Sequence, residues 1–490
     1  MTLNLASILS DSAARSRSRT AVVFGDTSLD YGTLDTFARM FAAALGNLGV
    51  EPGQPVALVL PNVPHFTVAA FGCHYAGNPV VPLNVLLTPE ELAYHLEDSG
   101  AVAVVTWELF ADKVVSAAGG RHVIVARQDL ADLAAPDGCL NFTAVVGMAQ
   151  PVTEAYPTEA DDTAVILYTS GTTGRPKGAE LTHANLWSNA TTIAGVVSLE
   201  AETVALVTLP LFHAFGMTVM HNAVLSVGGS LVLLPRFDAG TALSLMARHR
   251  VTFLGGVPTT FVALLEAATG DDDLSALKWC VSGGAPMPAA LMAAVESRFG
   301  VTLLEGYGLS ETAPVVSFTM PDRPRTPGSI GYPLPGVEIC LKEGEICVRG
   351  PNLMKGYLRR PEATAEAIVD GWFHTGDIGE VDEHGAYRIM DRKKDLVLRG
   401  GFNVYPREVE DVLHRHPAVA LAAVVGTPDE RYGEEVKAVI TLKPGCTAEP
   451  REIVAFCRQH LAAYKYPRIV EVRDELPLGP TGKILKTALR

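Results

Sequence analysis

Short apolar runs alternate with helix-like stretches between residues 56 and 125, and this alternation constrains the fold more than any other feature of the sequence. The apolar runs are residues 56–60, 80–81, 102–105 and 123–125. Helical stretches begin at Pro64 and at Pro89, where Thr88 can cap the helix and Glu91 can complete a capping box. Alternation of strand and helix favours a β-sheet covered by helices.

The chain is long enough for more than one domain, since its 490 residues exceed one ordinary core. The densest charge cluster, residues 391–395, separates two segments that differ in their sequence pattern. We predict an α/β fold with a large N-terminal domain of helix-covered β-sheets at 1–391 and a small α+β C-terminal domain at 392–490. The expected elements of the second domain are a helix from Pro406, strands at 419–425 and 436–442, a helix at 451–460 and a strand at 469–472. Residues 128–162 are interpreted as an irregular connection into a strand at 164–168.

The composition excludes several classes of protein. Hydrophobic residues make up 48% of the chain and charged residues 19%, which excludes a mostly disordered chain. A formal charge of −15 disfavours an extended nucleic-acid surface, because such surfaces need clustered Lys and Arg. No apolar run approaches the roughly 20 residues of a membrane span, and the N-terminus lacks the apolar core of a secretory leader. The seven cysteines show no metal-binding spacing. We expect a cytoplasmic protein that binds no nucleic acid.

A loop rich in glycine and hydroxyl side chains follows the predicted strand at 164–168. Its candidate phosphate-binding residues are Thr169, Ser170, Gly171, Thr172, Thr173, Gly174 and Lys177. Glycines let backbone N–H groups turn toward an anion, hydroxyls add donors, and Arg175 and Lys177 supply charge. The loop is not a Walker A motif, because Arg175 and Pro176 stand between the second glycine and Lys177. It favours a polyphosphate ligand, with an ordinary surface loop as the alternative.

Three further motifs follow this loop. They are GYGLSET at residues 306–312, GWFHTGD at 371–377 and PTGK at 480–483. Together with the loop they resemble the adenylate-forming superfamily, in particular its acyl-CoA synthetase branch, which includes the 4-coumarate-CoA ligases. The resemblance runs from about residue 31 to residue 486. It implies a ligase that converts a carboxylate and ATP to acyl-AMP and pyrophosphate, and then transfers the acyl group to coenzyme A.

The nucleotide site follows from the resemblance. The loop from Ser170 to Lys177 would hold the β- and γ-phosphates. Tyr307 would stack on the adenine beside the segment that includes Gly284, Ala285 and Pro286, and Gly306 and Gly308 are further cofactor-binding residues. Ser310 and Thr312 would reach the α-phosphate or the adenosine, and Glu311 would hold Mg²⁺, which prefers carboxylate oxygen and phosphate together. Asp377 would accept both ribose hydroxyls, with Arg392 as a second ribose contact.

The resemblance also implies the catalytic residues, which are Lys483, His213, Glu311 and Thr312. Lys483 would lie between the attacking carboxylate and the α-phosphate, where an ammonium group offsets the repulsion of two anions. We interpret the nearby Lys486 as a solvated lysine. His213 is expected to position the substrate rather than to act as a base, because a carboxylate is already ionised at neutral pH.

The small domain is expected to be a mobile lid, because Lys483 must first reach ATP and then make way for a thiol. The family's hinge corresponds to Lys394, with Asp391 adjacent. In the second orientation of the lid, Gly400 and Gly401 would leave room for the pantetheine arm of coenzyme A.

The candidate acyl pocket is apolar. Its predicted residues are Phe215, Met217, Val219, Val257, Gly283, Pro314 and Val315. A dicarboxylate would need a cation there, since an unpaired buried charge is costly. We therefore expect a medium- or long-chain fatty acid, with an aryl or hydroxycinnamic acid as the alternative. Free coenzyme A is the simplest acceptor, and an acyl carrier protein is the alternative. A nucleotide-binding scaffold protein is a further hypothesis. The presence of Glu311, Asp377 and Lys483 together argues against it, because a protein without catalysis would not need all three.

Overall fold

The computed structural model describes residues 2–169, 175–270, 272–393, 395–479 and 484–489. In chain order, the elements up to residue 207 are α1 (Ser7–Arg15), β1 (Thr20–Phe24), β2 (Thr27–Asp30), α2 (Tyr31–Asn47), β3 (Val56–Val59), α3 (Pro64–Tyr75), β4 (Val80–Pro82), α4 (Pro89–Ser99), β5 (Ala103–Trp107), α5 (Ala111–Ala117), β6 (His122–Ala126), β7 (Leu140–Asn141), α6 (Phe142–Gly147), β8 (Thr163–Thr169), β9 (Lys177–Thr182), α7 (His183–Val196) and β10 (Val204–Val207).

The second part of the chain completes the larger unit. Its elements are a π-helix (Phe215–Asn222), α8 (Ala223–Ser226), β11 (Ser230–Leu233), α9 (Ala239–Arg248), β12 (Phe253–Gly256), α10 (Pro258–Ala267), β13 (Trp279–Gly283), α11 (Ala289–Phe299), β14 (Thr302–Gly308), a 3-10 turn (Ser310–Thr312), β15 (Val315–Phe318), β16 (Tyr332–Pro333), β17 (Glu338–Lys342), β18 (Glu345–Arg349), β19 (Gly356–Tyr357), α12 (Pro361–Ala367), β20 (Ile368–Val369), β21 (Trp372–Val381) and β22 (Tyr387–Arg392).

The remaining elements form a smaller α+β unit. They are β23 (Val397–Arg399), β24 (Phe402–Val404), α13 (Pro406–Leu413), β25 (Val419–Asp429), β26 (Gly433–Leu442), α14 (Pro450–His460), β27 (Ile469–Val472) and a 3-10 turn (Lys486–Ala488). We call residues 2–393 the N-terminal unit and residues 395–489 the C-terminal unit. The predicted boundary after residue 391 stays a prediction, and β22 extends one residue beyond it.

The predicted alternation of strands and helices between residues 56 and 125 is confirmed. The capping box of α4 is also present: Thr88 Oγ1 accepts from the Glu91 amide at 3.3 Å, and the Thr88 amide donates to Glu91 Oε2 at 2.8 Å. The prediction for residues 128–162 was partly wrong, because this segment contains β7 and α6. Helix α6 begins where the Asn141 side chain accepts from the Ala144 amide at 3.0 Å.

Besides a smaller antiparallel sheet with the order β17-β18-β21-β20, in which β22 also pairs with β21, the N-terminal unit contains two large mixed sheets. Their strand orders are β16-β15-β14-β13-β12-β10-β11-β1-β2 and β19-β9-β8-β4-β3-β5-β6-β7. Successive residues of a strand lie on opposite faces of the sheet and pack into different hydrophobic cores. Ala205 and Val207 of β10 pack with the helices between the sheets, whereas Leu206 packs under α9, α10 and α11. On the second sheet, Val104 packs under α4 and α5. The result is a stack of helix and sheet layers, as expected for strands buried on both faces.

The parallel strands β10, β12, β13 and β14 end at one edge of the first sheet. The π-helix follows β10, Val257 follows β12, and Gly283 ends β13 directly opposite Gly306 of β14. Ligands in open α/β sheets bind outside the carboxyl ends of the strands. This edge therefore brings together segments that are far apart in the sequence.

The C-terminal unit packs α13 and α14 against a small sheet with the order β24-β23-β26-β25, in which β27 also pairs with β26. All the elements predicted for this part of the chain are confirmed. None of the helices in the described part of the chain combines the length and hydropathy needed to cross a membrane.

Candidate functional site

The predicted phosphate loop joins two paired strands. Thr169 at the end of β8 lies opposite Lys177 at the start of β9, so the intervening residues connect an antiparallel pair. Lys177 Nζ lies 5.2 Å from the centre of the Tyr357 ring. The predicted contacts Ser170, Gly171, Thr172, Thr173 and Gly174 lie outside the described residues.

Glu311 lies close to this strand pair. Its Oε1 accepts from the Tyr357 hydroxyl at 2.9 Å, and its backbone carbonyl accepts from the Met354 amide at 2.9 Å. Burial, and then the Glu311 carboxylate, raises the pKa of Tyr357, which keeps this hydroxyl a neutral donor. Tyr357 therefore links Lys177 to Glu311. The described residues contain no group of three or more His, Cys, Asp or Glu side chains placed to hold a metal ion.

Thr312 uses its hydroxyl within its own loop. The Oγ1 atom donates to the Pro314 carbonyl at 2.5 Å and accepts from the Leu309 amide at 3.0 Å, and the side chain is fully buried. Asn352 also donates to the Thr312 carbonyl at 3.1 Å. Thr312 therefore braces this turn, and its predicted contact with the nucleotide stays a prediction. Ser310 at the start of the turn is only partly buried.

Asp377 is at the centre of a buried hydrogen-bonded cluster. Its Oδ2 accepts from the Tyr307 hydroxyl at 2.6 Å, and its Oδ1 pairs with Arg392 Nε at 3.0 Å. Burial, and then the Asp377 charge, raises the pKa of Tyr307 well above its usual range. A carboxylate has about four acceptor positions, so two remain for a ligand. The sequence predicted these three residues for one nucleotide, and the structure brings them together.

Strand β21 is held in place on the other side of Asp377. The Gly376 amide donates to Glu345 Oε1 at 2.8 Å, with Gly376 at φ +73°. Thr375 Oγ1 accepts from the Asp377 amide at 3.1 Å and donates to the Ile346 carbonyl at 2.7 Å. These bonds fix the backbone from which the Asp377 carboxylate projects.

The predicted adenine segment has an open face. Gly284 and Pro286 are exposed, Ala285 is partly buried, and Gly284 adopts φ +76°. A Cβ at Gly284 would meet only Val257, at 3.8 Å. Gly308 has a different reason to be glycine, since a Cβ there would lie 1.8 Å from the Pro314 carbonyl oxygen.

The candidate acyl pocket lies at the same sheet edge. The ring of Phe215 lies over Gly283, where a Cβ would come within 3.0 Å of Phe215 Cε1 and 3.2 Å of the Gly306 carbonyl oxygen. His213 Nδ1 accepts from the Phe215 amide at 3.3 Å. The predicted pocket residues that are buried are Met217, Val219, Val257, Gly283, Pro314 and Val315. The π-helix is a rare form that is frequent at functional sites.

Asp391, the residue beside the predicted hinge, joins the two units. Its Oδ1 accepts from the Arg392 amide at 2.7 Å, and its Oδ2 accepts from the Arg407 amide at the start of α13 at 2.9 Å. Burial raises the pKa of Asp391 to about 6. Lys394, the other predicted hinge residue, lies outside the described residues.

The segment after the predicted catalytic lysine lies against the interface between the units. Lys483 itself lies outside the described residues. The interpretation of Lys486 as a solvated lysine was wrong: its Nζ pairs with Glu410 Oε1 at 2.7 Å. Burial alone would lower the pKa of Lys486, but the charges of Glu410 and Asp391 raise it.

Gly400 and Gly401 form the turn between β23 and β24, with φ +59° and +83°. Two successive positive φ values favour glycine in a tight hairpin. The flanking Leu398 and Phe402 are 56% and 58% exposed. The hairpin therefore projects from the C-terminal unit in this orientation.

Sequence reasoning missed several residues that shape the site. Tyr357 donates to Glu311, and Asn189 exchanges hydrogen bonds with the Val315 backbone at 2.8 and 3.1 Å. Met220 fills the space that a Cβ at Gly255 would need, with its sulfur 2.3 Å from that position. These partners are distant in sequence, so no local pattern indicates them.

Two sequence profiles cover most of the chain. The AMP-binding enzyme profile matches residues 9–358, and the profile of the AMP-binding enzyme C-terminal domain matches residues 408–483. The chain is 40% identical to a feruloyl-CoA synthase of Amycolatopsis sp, over 96% of this chain and 95% of the relative. It is 37% identical to a long-chain-fatty-acid–CoA ligase of Bacillus subtilis strain 168, over 99% and 94%.

A solved structure shares the whole fold. The anthranilate CoA ligase AuaEII, in complex with anthranoyl-AMP, matches with a TM-score of 0.94 and 30% identity, over 100% of this chain and 97% of that one. These relatives match nearly the whole chain at 30–40% sequence identity, so the similarity concerns the sequence as well as the fold. The chain therefore belongs to the AMP-binding enzyme family, within the adenylate-forming superfamily, and is an AMP-forming acyl-CoA synthetase that uses ATP, Mg²⁺ and coenzyme A.

Proposed function

We propose that the protein activates a medium- or long-chain fatty acid and transfers it to coenzyme A. The observation that carries this proposal is the apolar edge formed by the π-helix, Val257 and Gly283, close to the predicted adenine segment. Its predicted pocket residues carry no charge that could pair with a second carboxylate or with an ammonium group. The similarity to a long-chain-fatty-acid–CoA ligase supports the same substrate class.

An aryl or hydroxycinnamic acid is the second candidate. The feruloyl-CoA synthase at 40% identity favours it, as does the Phe215 ring over Gly283, against which an aromatic substrate could stack. A separate acyl carrier protein is the alternative acceptor to coenzyme A.

Asp377 and Tyr307 are proposed to bind the nucleoside of ATP. The two remaining acceptor positions of the Asp377 carboxylate suit the two ribose hydroxyls. The Tyr307 hydroxyl is already used by Asp377, which leaves the ring as the surface for adenine. Arg392 neutralises the carboxylate, and it is 39% exposed, so its remaining N–H groups can also reach the ribose.

Glu311 is proposed as the Mg²⁺ ligand. Its oxygens suit a hard cation, and the Tyr357 hydroxyl on Oε1 leaves Oε2 available to a metal. When bound, Mg²⁺ would neutralise the phosphate charge. Lys177, whose Nζ lies 5.2 Å from the centre of the Tyr357 ring, would hold the phosphates of the departing pyrophosphate.

The first step joins the acid to AMP. A carboxylate oxygen attacks the α-phosphorus, and the bond to pyrophosphate breaks. Lys483 is proposed to lie between the two anions and to stabilise the charge of the transition state, a contribution of about 2.7–4 kcal/mol for preorganised donors. His213 is proposed to position the acid, with its imidazole fixed by the Phe215 amide.

The second step forms the thioester. The C-terminal unit turns about residues 391 and 394 and brings the Gly400–Gly401 turn toward the adenylate. The thiol sulfur attacks the acyl carbon, AMP leaves with the former carboxylate oxygen, and the thiol proton passes to solvent. The small turn would leave room for the pantetheine arm.

Acid-dependent pyrophosphate release tests the proposal. The panel comprises fatty acids from acetate to stearate, benzoates and hydroxycinnamates, each with and without coenzyme A. We expect the highest kcat/KM for medium or long fatty acids and multiple turnovers only with coenzyme A. A maximum for aromatic acids would replace the first candidate by the second. Release without any response to coenzyme A would point to a carrier-protein acceptor.

A glycine substitution tests whether the acid binds at the predicted edge. A Cβ at Gly283 narrows the space beside Phe215, so Gly283→Ala should lower kcat/KM for the preferred acid about tenfold or more. Gly147→Ala is the matched control, because a Cβ there meets nothing within 4 Å. Equal kinetics in Gly283→Ala and the wild type would remove the acid from this edge.

A further inference from the structure

Arg407 crosses from the C-terminal unit into the N-terminal unit. It lies in the first turn of α13, and its side chain is buried. Its Nη1 donates to the Ile389 carbonyl at 2.7 Å, and its Nη2 donates to the Gly328 carbonyl at 3.2 Å. Both acceptors belong to the N-terminal unit, so a turn of the C-terminal unit about residues 391 and 394 must break these two bonds or carry the Arg407 side chain out of its place.

Two carboxylates, those of Glu305 and Asp411, also interact with the Arg407 charge. Burial raises the pKa of Glu305 to about 7, and the Arg407 charge opposes that rise. Glu305 Oε1 also accepts from the Met287 amide at 3.3 Å, next to the predicted adenine segment. The Arg407 charge therefore acts on a carboxylate of the strand that carries Tyr307.

The orientation seen here is the one suited to the first step. The cleft between the units is lined by Ala285 and Pro286 on one side and by Ile484 and Lys486 on the other. Ile484 and Lys486, which follow the predicted catalytic lysine in the sequence, therefore face the predicted adenine segment across this cleft. The Gly400–Gly401 turn, needed for the second step, projects outward instead.

We propose that Arg407 is a positioning residue that latches the C-terminal unit in the orientation for adenylate formation and is released for thioester formation. This inference rests on the proposed two-step use of the units. A contact made in only one of two orientations shifts their populations by its differential free energy. The hydrogen bonds to the two carbonyls and the electrostatic interaction with Glu305 are of this kind, because all three partners belong to the other unit.

The test separates the two half-reactions. Arg407→Met keeps the length of the side chain and removes its donors and charge. We expect acid-dependent exchange of pyrophosphate into ATP to fall about 10- to 100-fold, because the lysine segment loses its alignment. Thioester formation from supplied acyl-adenylate and coenzyme A should stay within about twofold of the wild type or rise. Arg407→Lys, which keeps the charge but cannot serve both carbonyls, should lie between Met and the wild type.

Controls distinguish the latch from a structural role. Arg415→Met, an exposed arginine beyond the end of the same helix, should leave both half-reactions unchanged. Equal losses in both half-reactions of Arg407→Met and Arg407→Lys, or no loss in either, would overturn the latch. If Arg407→Met does not fold, the ratio of the two half-reactions in Arg407→Lys decides in the same way. Failure of the proposed function would show instead in the wild type, as absent exchange with every acid.

Discussion

Replacement of Asp377 by Asn tests the ribose contact most sharply. The carboxylate accepts from Tyr307 at 2.6 Å and from Arg392 at 3.0 Å, which leaves two acceptor positions for the ribose. An amide has one acceptor oxygen, and its NH₂ cannot accept a hydroxyl proton. The variant must therefore lose at least one charge-assisted hydrogen bond to the ligand, worth about 1.5–3 kcal/mol. That loss corresponds to a roughly 10- to 150-fold rise in the KM for ATP.

The assay pairs the variant with a change in the ligand. Pyrophosphate release is measured with ATP and with 2′-deoxy-ATP, for the wild type and for Asp377→Asn. If the carboxylate binds the 2′-hydroxyl, the wild type prefers ATP and the variant loses most of that preference, with a coupling energy of about 0.5–3 kcal/mol. Glu383→Gln, an exposed position in the same β21–β22 hairpin, is the matched control. An unchanged preference in Asp377→Asn would refute the ribose contact.

Three further predictions concern two side chains of the candidate site and one buried histidine elsewhere in the N-terminal unit. Tyr307→Phe keeps the ring and should leave the KM for ATP nearly unchanged, whereas Tyr307→Ala should raise it by the equivalent of about 1–3 kcal/mol of stacking; equal effects in steady-state kinetics would contradict this assignment. Tyr357→Phe removes the donor to Glu311 and should raise the half-saturating Mg²⁺ concentration about 10-fold or more; a Mg²⁺ titration that overlays the wild type would separate Glu311 from the metal. His65 is buried between Trp107 and Phe142, and burial lowers its pKa from 6.5 to about 4. Its contribution to stability is present above pH 6.5 and is lost as the pH falls toward 4, by about 2 kcal/mol between pH 7.5 and 5. In urea unfolding at pH 7.5 and pH 5, the free energy of unfolding of His65→Phe should fall by about 2 kcal/mol less than that of the wild type. An identical pH dependence of the two proteins would show that His65 does not cause this loss of stability.

The sequence predicts regular elements well where a pattern runs over enough residues. The strands and helices from residue 56 to residue 125 each carry a full apolar run or a capped helical turn. Helix α6 spans six residues, too few for a helical period to show against an Ala- and Asp-rich background. Its only local signal is the Asn141 cap.

In the candidate site, too, the sequence predicts residues that belong to a local motif but not their partners from distant parts of the chain. Tyr307 and Asp377 each belong to a motif, so the family resemblance assigns both to the nucleotide. The hydrogen bond from the Tyr307 hydroxyl to Asp377 joins two strands of different sheets, so no local sequence pattern predicts it. Lys486 was misjudged for the same reason, because its partner Glu410 comes from α13 rather than from its own segment. The hydroxyl of Thr312 is another case, since its use depends on the backbone path around Pro314.

We propose that a carboxylate oxygen attacks the α-phosphorus of ATP before the thiol takes the acyl group. Reaction of the preferred acid, labelled with ¹⁸O in both carboxylate oxygens, with ATP and coenzyme A tests this claim directly by mass spectrometry of the products. An acyl-adenylate intermediate requires one ¹⁸O in AMP, one in the acyl-CoA and none in pyrophosphate. Unlabelled AMP, or label in a phosphate product accompanied by ADP, would contradict an acyl-adenylate.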